Sequence, residues 1–130
     1  MNSRAKGARV EREAAAFLTS IGFPAERNAR NGLSADDIVC PSLPGVHFEV
    51  KGDRSIGVGT KALDDAMDQS ARDAGKDAMP VVLWREHRKG WRLTYSDGSH
   101  RAFVTVADED IVHVLDWLAG LTTPLNAGKE

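Results

Sequence analysis

Residues 35–53 read A-D-D-I-V-C-P-S-L-P-G-V-H-F-E-V-K-G-D, two short apolar runs around a Pro-Ser-Leu-Pro-Gly turn. Proline and glycine punctuate, and β-branched residues fill the runs at 38–40 and 46–50, which predicts a β-hairpin or two adjacent strands. Side chains alternate sides along a strand. Val46, Phe48 and Val50 therefore face a core, while His47, Glu49 and Lys51 face the other way. Asp37 joins that polar side if the two strands pair. Two carboxylates are hard oxygen ligands suited to a divalent cation, and Lys51 adds a point charge beside them. Glu-x-Lys on a strand is also common on a solvated face, so the surrounding residues have to decide between the two.

The 130 residues suffice for one core without staples, and a single domain is expected over 1–120 with a frayed tail at 121–130. A hydrophobic share of 42% against 28% charged residues argues against wholesale disorder. The one cysteine, Cys40, falls in a predicted strand, so no disulfide framework is expected and a reducing cytoplasm suits it. No run approaches a membrane span, and the start, M-N-S-R-A-K-G-A-R, has no apolar signal core. The expectation is a soluble protein of the cytoplasm, or of a host cytoplasm if virus-encoded.

The net charge of −2 does not suggest a strongly basic nucleic-acid binder. Its distribution does leave room for one. Residues 1–30 carry Arg4, Lys6, Arg9, Arg12, Arg27 and Arg30 against Glu11, Glu13 and Glu26, a net of +3, while residues 97–130 carry a net of −4. A cation-binding site must itself be acidic, so a near-neutral total is compatible with DNA as substrate.

Residues 6–20 predict a helix with Val10, Ala14, Phe17 and Leu18 inward and Gly22 as its stop. Residues 23–27 predict a short strand, followed by a polar loop to Asp36 and Asp37. The glycine-rich run at 52–59 lacks phosphate-loop spacing and is expected to be a mobile loop beside the site. Thr60 is placed to cap a helix from Lys61 to about Gly75, with Leu63, Ala66, Met67, Ser70, Ala71 and Ala74 inward. Strands are expected at 79–84, 91–95 and 102–106, with an Asp97-Gly98 hairpin turn, and a last helix at about 108–118. The four histidines have no metal-ligand spacing; only His47 falls on the polar face of the Glu49 strand.

Helix, strand, strand, strand, helix, strand is thus the order that carries Glu11, then Asp37, then Glu49-Val50-Lys51. With K-G-A-R-V-E-R-E at 6–13, G-F…R-N-A at 22–29, D-D-I-V at 36–39, F-E-V-K at 48–51 and M-P-V-V…G-W-R-L at 79–93, the chain resembles the archaeal-type Holliday-junction resolvases of the PD-(D/E)xK nuclease superfamily. The match covers roughly residues 4–95. It implies an α/β fold with a restriction-endonuclease-like core, a central mixed sheet flanked by helices, here with an extra C-terminal hairpin strand and helix.

The resemblance further implies that Glu11 is the helix glutamate of the site, Asp37 and Glu49 the metal carboxylates and Lys51 the catalytic lysine. The Val50 carbonyl and Glu11 are further donors to Mg²⁺, for which Mn²⁺ is expected to substitute, with no organic cofactor and no membrane partner. Two departures stand out. Asp36 replaces the usual proline, leaving open which of Asp36 and Asp37 faces the metal, with Asp37 in better register. Arg30-Asn31-Gly32-Leu33-Ser34 replaces a small Gly-Ser element, so a serine contact falls on Ser34 or is missing.

The implied substrate is branched DNA, cut by a homodimer. Arg4, Lys6, Arg9, Arg27, Asn28 and Arg30 are the candidate DNA contacts, with Arg54 and Lys61 as a second surface. Three readings stay open: a junction-resolving endonuclease, a nuclease of the same superfamily acting on nicked, flapped or duplex DNA, and a non-catalytic DNA-binding module on the same fold.

Overall fold

The computed structural model describes residues 3–28, 37–52, 55–86, 89–96 and 102–122, with side chains described from residue 6 to residue 120. Arg30, Ser34, Asp36, Arg54, His87, the Asp97-Gly98 turn, His100, the side chain of Arg4 and residues 123–130 of the expected tail lie outside that set.

The first helix, α1, runs Ser3–Ser20. Val10, Ala14, Ala15 and Leu18 form its buried stripe, and Phe17 packs at the edge. Gly22, at φ 106°, ends it: Phe23 N donates to Leu18 O at 2.9 Å and Gly22 N to Thr19 O at 3.2 Å. That pair of bonds satisfies the last helical carbonyls and requires a left-handed residue, which glycine supplies without strain. Two short strands follow, β1 (Glu26–Arg27) and β2 (Ile38–Val39), paired antiparallel.

The main sheet has the order β3-β4-β5-β6, formed by Val46–Gly52, Met79–Arg85, Arg92–Ser96 and Phe103–Ala107. β3 and β4 run parallel, with Glu49 opposite Val82 and Lys51 opposite Trp84; the remaining pairs are antiparallel. A parallel pair needs a crossover, and α2 (Lys61–Ala74) provides it. Thr60 caps α2 by accepting from Leu63 N at 3.2 Å, as its position in the sequence predicts. The last helix, α3, runs Glu109–Thr122.

Both faces of the sheet are covered. Val46, Phe48, Val50, Val81, Leu83 and Leu93 pack with α1 and with Ile111, Leu115 and Leu118 of α3. On the opposite face Val82 and Trp84 pack under Leu63, Ala66 and Met67 of α2 and under Ile56. The fold class expected from the sequence is therefore present: an α/β mixed sheet flanked by helices, with β6 and α3 as the C-terminal addition.

Several details differ from expectation. The turn at 41–45 does not close a hairpin ladder: β2 pairs with β1 and lies beside β3, to which Asp37 bridges, its N donating to Phe48 O at 3.4 Å. On the polar face of β3, α2 roofs and buries His47 and Glu49, while Lys51 stays partly exposed. Ala71 points outward rather than into the core. Within the glycine-rich run, Ile56 is buried in the α2 cluster, which the sequence reading does not anticipate.

Candidate functional site

Glu49 and Lys51 stand two residues apart on β3 and so share one face, at the strand's outer edge. Lys51 Nζ donates to Glu49 Oε2 at 3.2 Å; the lysine side chain is 41% exposed and the glutamate 3%. The pair thus sets a buried carboxyl against a cation at the rim.

Asp37 reaches the same place from the turn before β2. Its Oδ2 accepts from Val50 N at 2.9 Å, so the aspartate occupies the position that a neighbouring strand's carbonyl would otherwise take along β3. Glu11 arrives on α1, which crosses the end of β3 closely: a Cβ at Gly52 would lie 2.7 Å from Val10 Cγ1. The absence of that Cβ lets α1 bring the residue after Val10 to the strand end. Glu11, Asp37, Glu49, Val50 and Lys51, with Lys6, Val10 and Gln69, line one cleft of about 520 Å³.

The electrostatics are those of crowded acids. Burial, and next the charge of Asp37, raise the Glu49 carboxyl to about 7, with Lys51 pulling the other way. Burial also raises Asp37, against the opposing Val50 amide, and Glu11 adds to the rise. Glu49 Oε1 is buried and receives no hydrogen bond from the described residues. An orphaned buried oxygen beside a second carboxylate is a donor set that fits a hard divalent cation.

A measurable consequence follows for the protein free of divalent ions. A carboxyl whose folded pKa lies above its unfolded value holds its proton in the folded state, so its contribution is present below about pH 4.5 and lost as pH rises through about 7. Glu49→Gln removes that loss. In EDTA, the variant should melt with wild type near pH 4.5 and above it at pH 8.5, by about 1–2 kcal/mol once solvent in the open cleft is allowed for. Equal thermal unfolding curves at both pH values would contradict the crowding of Glu49.

The other expected contacts divide. Lys6 lines the cleft, and Arg9 is exposed, 3.8 Å from Glu13. Arg27 is committed elsewhere: its Nε donates to Glu11 Oε1 at 3.0 Å with both side chains three-quarters buried. It is better read as holding Glu11 than as gripping phosphate. Asn28 is buried, its backbone N donating to Asp37 O at 3.0 Å, so it braces the aspartate turn. Lys61 pairs with Asp65 at 2.7 Å on the exposed start of α2. Gln69 and Asp73 carry no signal in the sequence. Both lie one position away from the inward stripe of α2, on either side of Ser70 at offsets that only the docking of α2 onto β3 reveals.

No family model matches the chain, and no match is found among curated proteins. Among solved structures, Hjc, a Holliday junction resolvase from Archaeoglobus fulgidus, is similar at 26% identity, covering 82% of this chain and 91% of that one, with a TM-score of 0.49. No helix among the described residues is long and apolar enough to cross a membrane.

Proposed function

We propose that this chain is a Mg²⁺-dependent endodeoxyribonuclease that hydrolyses phosphodiester bonds in four-way DNA junctions. The observation that carries the hydrolytic reading is the convergence of Glu11, Asp37, Glu49 and Lys51, from α1, the β2 approach and β3, on one cleft. The junction as substrate rests on the order of sequence motifs from K-G-A-R-V-E-R-E to G-W-R-L.

Asp37 and Glu49 would hold the ion, with the Val50 carbonyl and Glu11 as further donors; Mn²⁺ would serve the same oxygen set. Bound there, the ion supplies Lewis-acid polarisation of a phosphoryl oxygen and a lowered pKa for water. Lys51, at the rim and anchored by Glu49, orients the attacking water and stabilises negative charge developing on the phosphate. Arg27 keeps Glu11 in place. A four-way junction has two-fold character and needs two symmetric cuts, which a two-fold dimer matches.

Lys6, which lines the cleft, and Arg9, exposed on the same helix, are proposed to neutralise phosphates rather than read bases. Replacing both with Gln should lower the slope of log K against log salt by roughly 0.9 for each phosphate no longer neutralised, with sequence preference unchanged. Titrating junction binding at several salt concentrations reads this out, and an unaltered slope moves the DNA surface toward Arg54 and Lys61.

The deciding experiment compares a synthetic four-way junction with nicked, flapped and linear duplexes, with Mg²⁺ and with EDTA. Paired cuts across the junction and little cutting of duplex are expected. Preferential cutting of the nicked or flapped forms supports the broader nuclease reading, and binding without any cleavage leaves the non-catalytic module.

A further inference from the structure

On the α2 side of β3, Glu49 has a second set of neighbours. Ser70 of α2 is fully buried; its Oγ donates to Val81 O of β4 at 2.9 Å, with His47 O of β3 close by at 3.5 Å. The Val81 bond holds α2 against the β3–β4 pair beside His47. One helical turn on, the same docking sets Asp73 beside the polar face of the strand. One ligand atom each from His47, Glu49 and Asp73 lies within 4.8 Å of the others, with His47 and Glu49 buried and Asp73 exposed.

A second observation points to a ligand here. Glu49 Oε2 is taken by Lys51, but Oε1 is buried and no donor among the described residues reaches it. We propose that His47, Glu49 and Asp73 form a binding site for a first-row transition ion of the Zn²⁺ class, distinct from the Asp37 side of the cleft and sharing Glu49 with it. An imidazole nitrogen beside two carboxylates suits Zn²⁺, whereas Mg²⁺ selects oxygen donors and water. Three protein ligands with a position left for water is an established zinc arrangement. Bonds of about 2 Å set tetrahedral ligands about 3.4 Å apart, so the site closes by roughly an ångström, which exposed Asp73 is free to supply.

The sharing gives the site a consequence. On the nuclease reading above, an ion held by His47, Glu49 and Asp73 withdraws Glu49 from the Asp37 side, so micromolar Zn²⁺ acts against millimolar Mg²⁺. The ligand set itself does not depend on that reading.

The test starts on the full chain without DNA. Co²⁺, as a spectroscopic stand-in, and Zn²⁺ are titrated in the presence of millimolar Mg²⁺. One ion per chain is expected, with Co²⁺ visible absorption typical of nitrogen and oxygen ligation. Asp73→Asn, at an exposed position, should weaken binding at least tenfold, and His47→Gln should do the same if it folds. Undiminished binding by Asp73→Asn, or a Mg²⁺ concentration that displaces Zn²⁺ mole for mole, overturns the proposal. In the cleavage assay, Zn²⁺ should inhibit wild type and leave Asp73→Asn, with its Mg²⁺-supported rate intact, at least tenfold less sensitive. A chain that binds Zn²⁺ through these residues but cuts no DNA refutes the nuclease reading alone.

Discussion

Asp37→Asn and Glu49→Gln are each expected to lower the cleavage rate by at least three orders of magnitude, about 4 kcal/mol of transition-state stabilisation, while junction binding survives. Both changes keep the side-chain shape and remove the charge that would hold a divalent ion. Asn at 37 still offers a carbonyl oxygen to Val50 N, so the bridge from the β2 approach to β3 is kept. Gln at 49 leaves an uncharged group in a place where burial already disfavours charge. Binding measured without divalent ions should be equal or tighter, because a carboxylate facing phosphate is repelled by it. Single-turnover cleavage of a junction, alongside a gel-shift titration, separates the two effects. Either variant cutting at near wild-type rate with Mg²⁺ would show that the reaction does not run through this cleft.

Lys51→Ala is expected to cost two or more orders of magnitude in rate, about 2.7 kcal/mol or more. The lysine is the cation at the cleft rim and lies 3.2 Å from a carboxylate. Its loss removes both the positive charge available to the phosphate and the group that draws Glu49 toward ionisation. The fold should be little affected, because the side chain is 41% exposed and lies on the face of β3 opposite Phe48 and Val50. Differential scanning calorimetry beside the rate measurement distinguishes the roles. A large drop in melting temperature would mark Lys51 as a structural ion-pair partner, and an unchanged rate would remove it from the chemistry.

Much of the architecture is legible because single residues announce it. Gly22 and Thr60 mark a helix end and a helix start by backbone chemistry that few other residues provide. The alternation of Val46, Phe48 and Val50 with His47, Glu49 and Lys51 divides β3 correctly between its two faces. What alternation cannot tell is whether a polar face meets water or another layer. Here α2 lies over it, and so Glu49 is crowded rather than solvated.

Long-range pairing is equally invisible in the sequence. Pro41 and Gly45 around a turn suggest that β2 returns onto β3 as a ladder, whereas β2 ladders with β1 and Asp37 bridges to β3. Arg27 looks like a free cation in a basic segment because its partner, Glu11, is sixteen residues away. Asp73 gives no signal at all, since its importance depends on where Ser70 anchors α2.

The bond from Val50 N to Asp37 has a bearing on solubility as well as chemistry. The outer rim of β3 has no ladder partner among the described residues, and unladdered rims are routes by which another chain can add a fifth strand. At its centre this rim is guarded by a negatively charged side chain that already occupies the donor. Loss of Asp37 to alanine, unlike loss to asparagine, would therefore leave a molecule both inactive and sticky, and poor behaviour in concentrated solution would accompany the lost activity. The residue that equips the cleft also finishes the sheet.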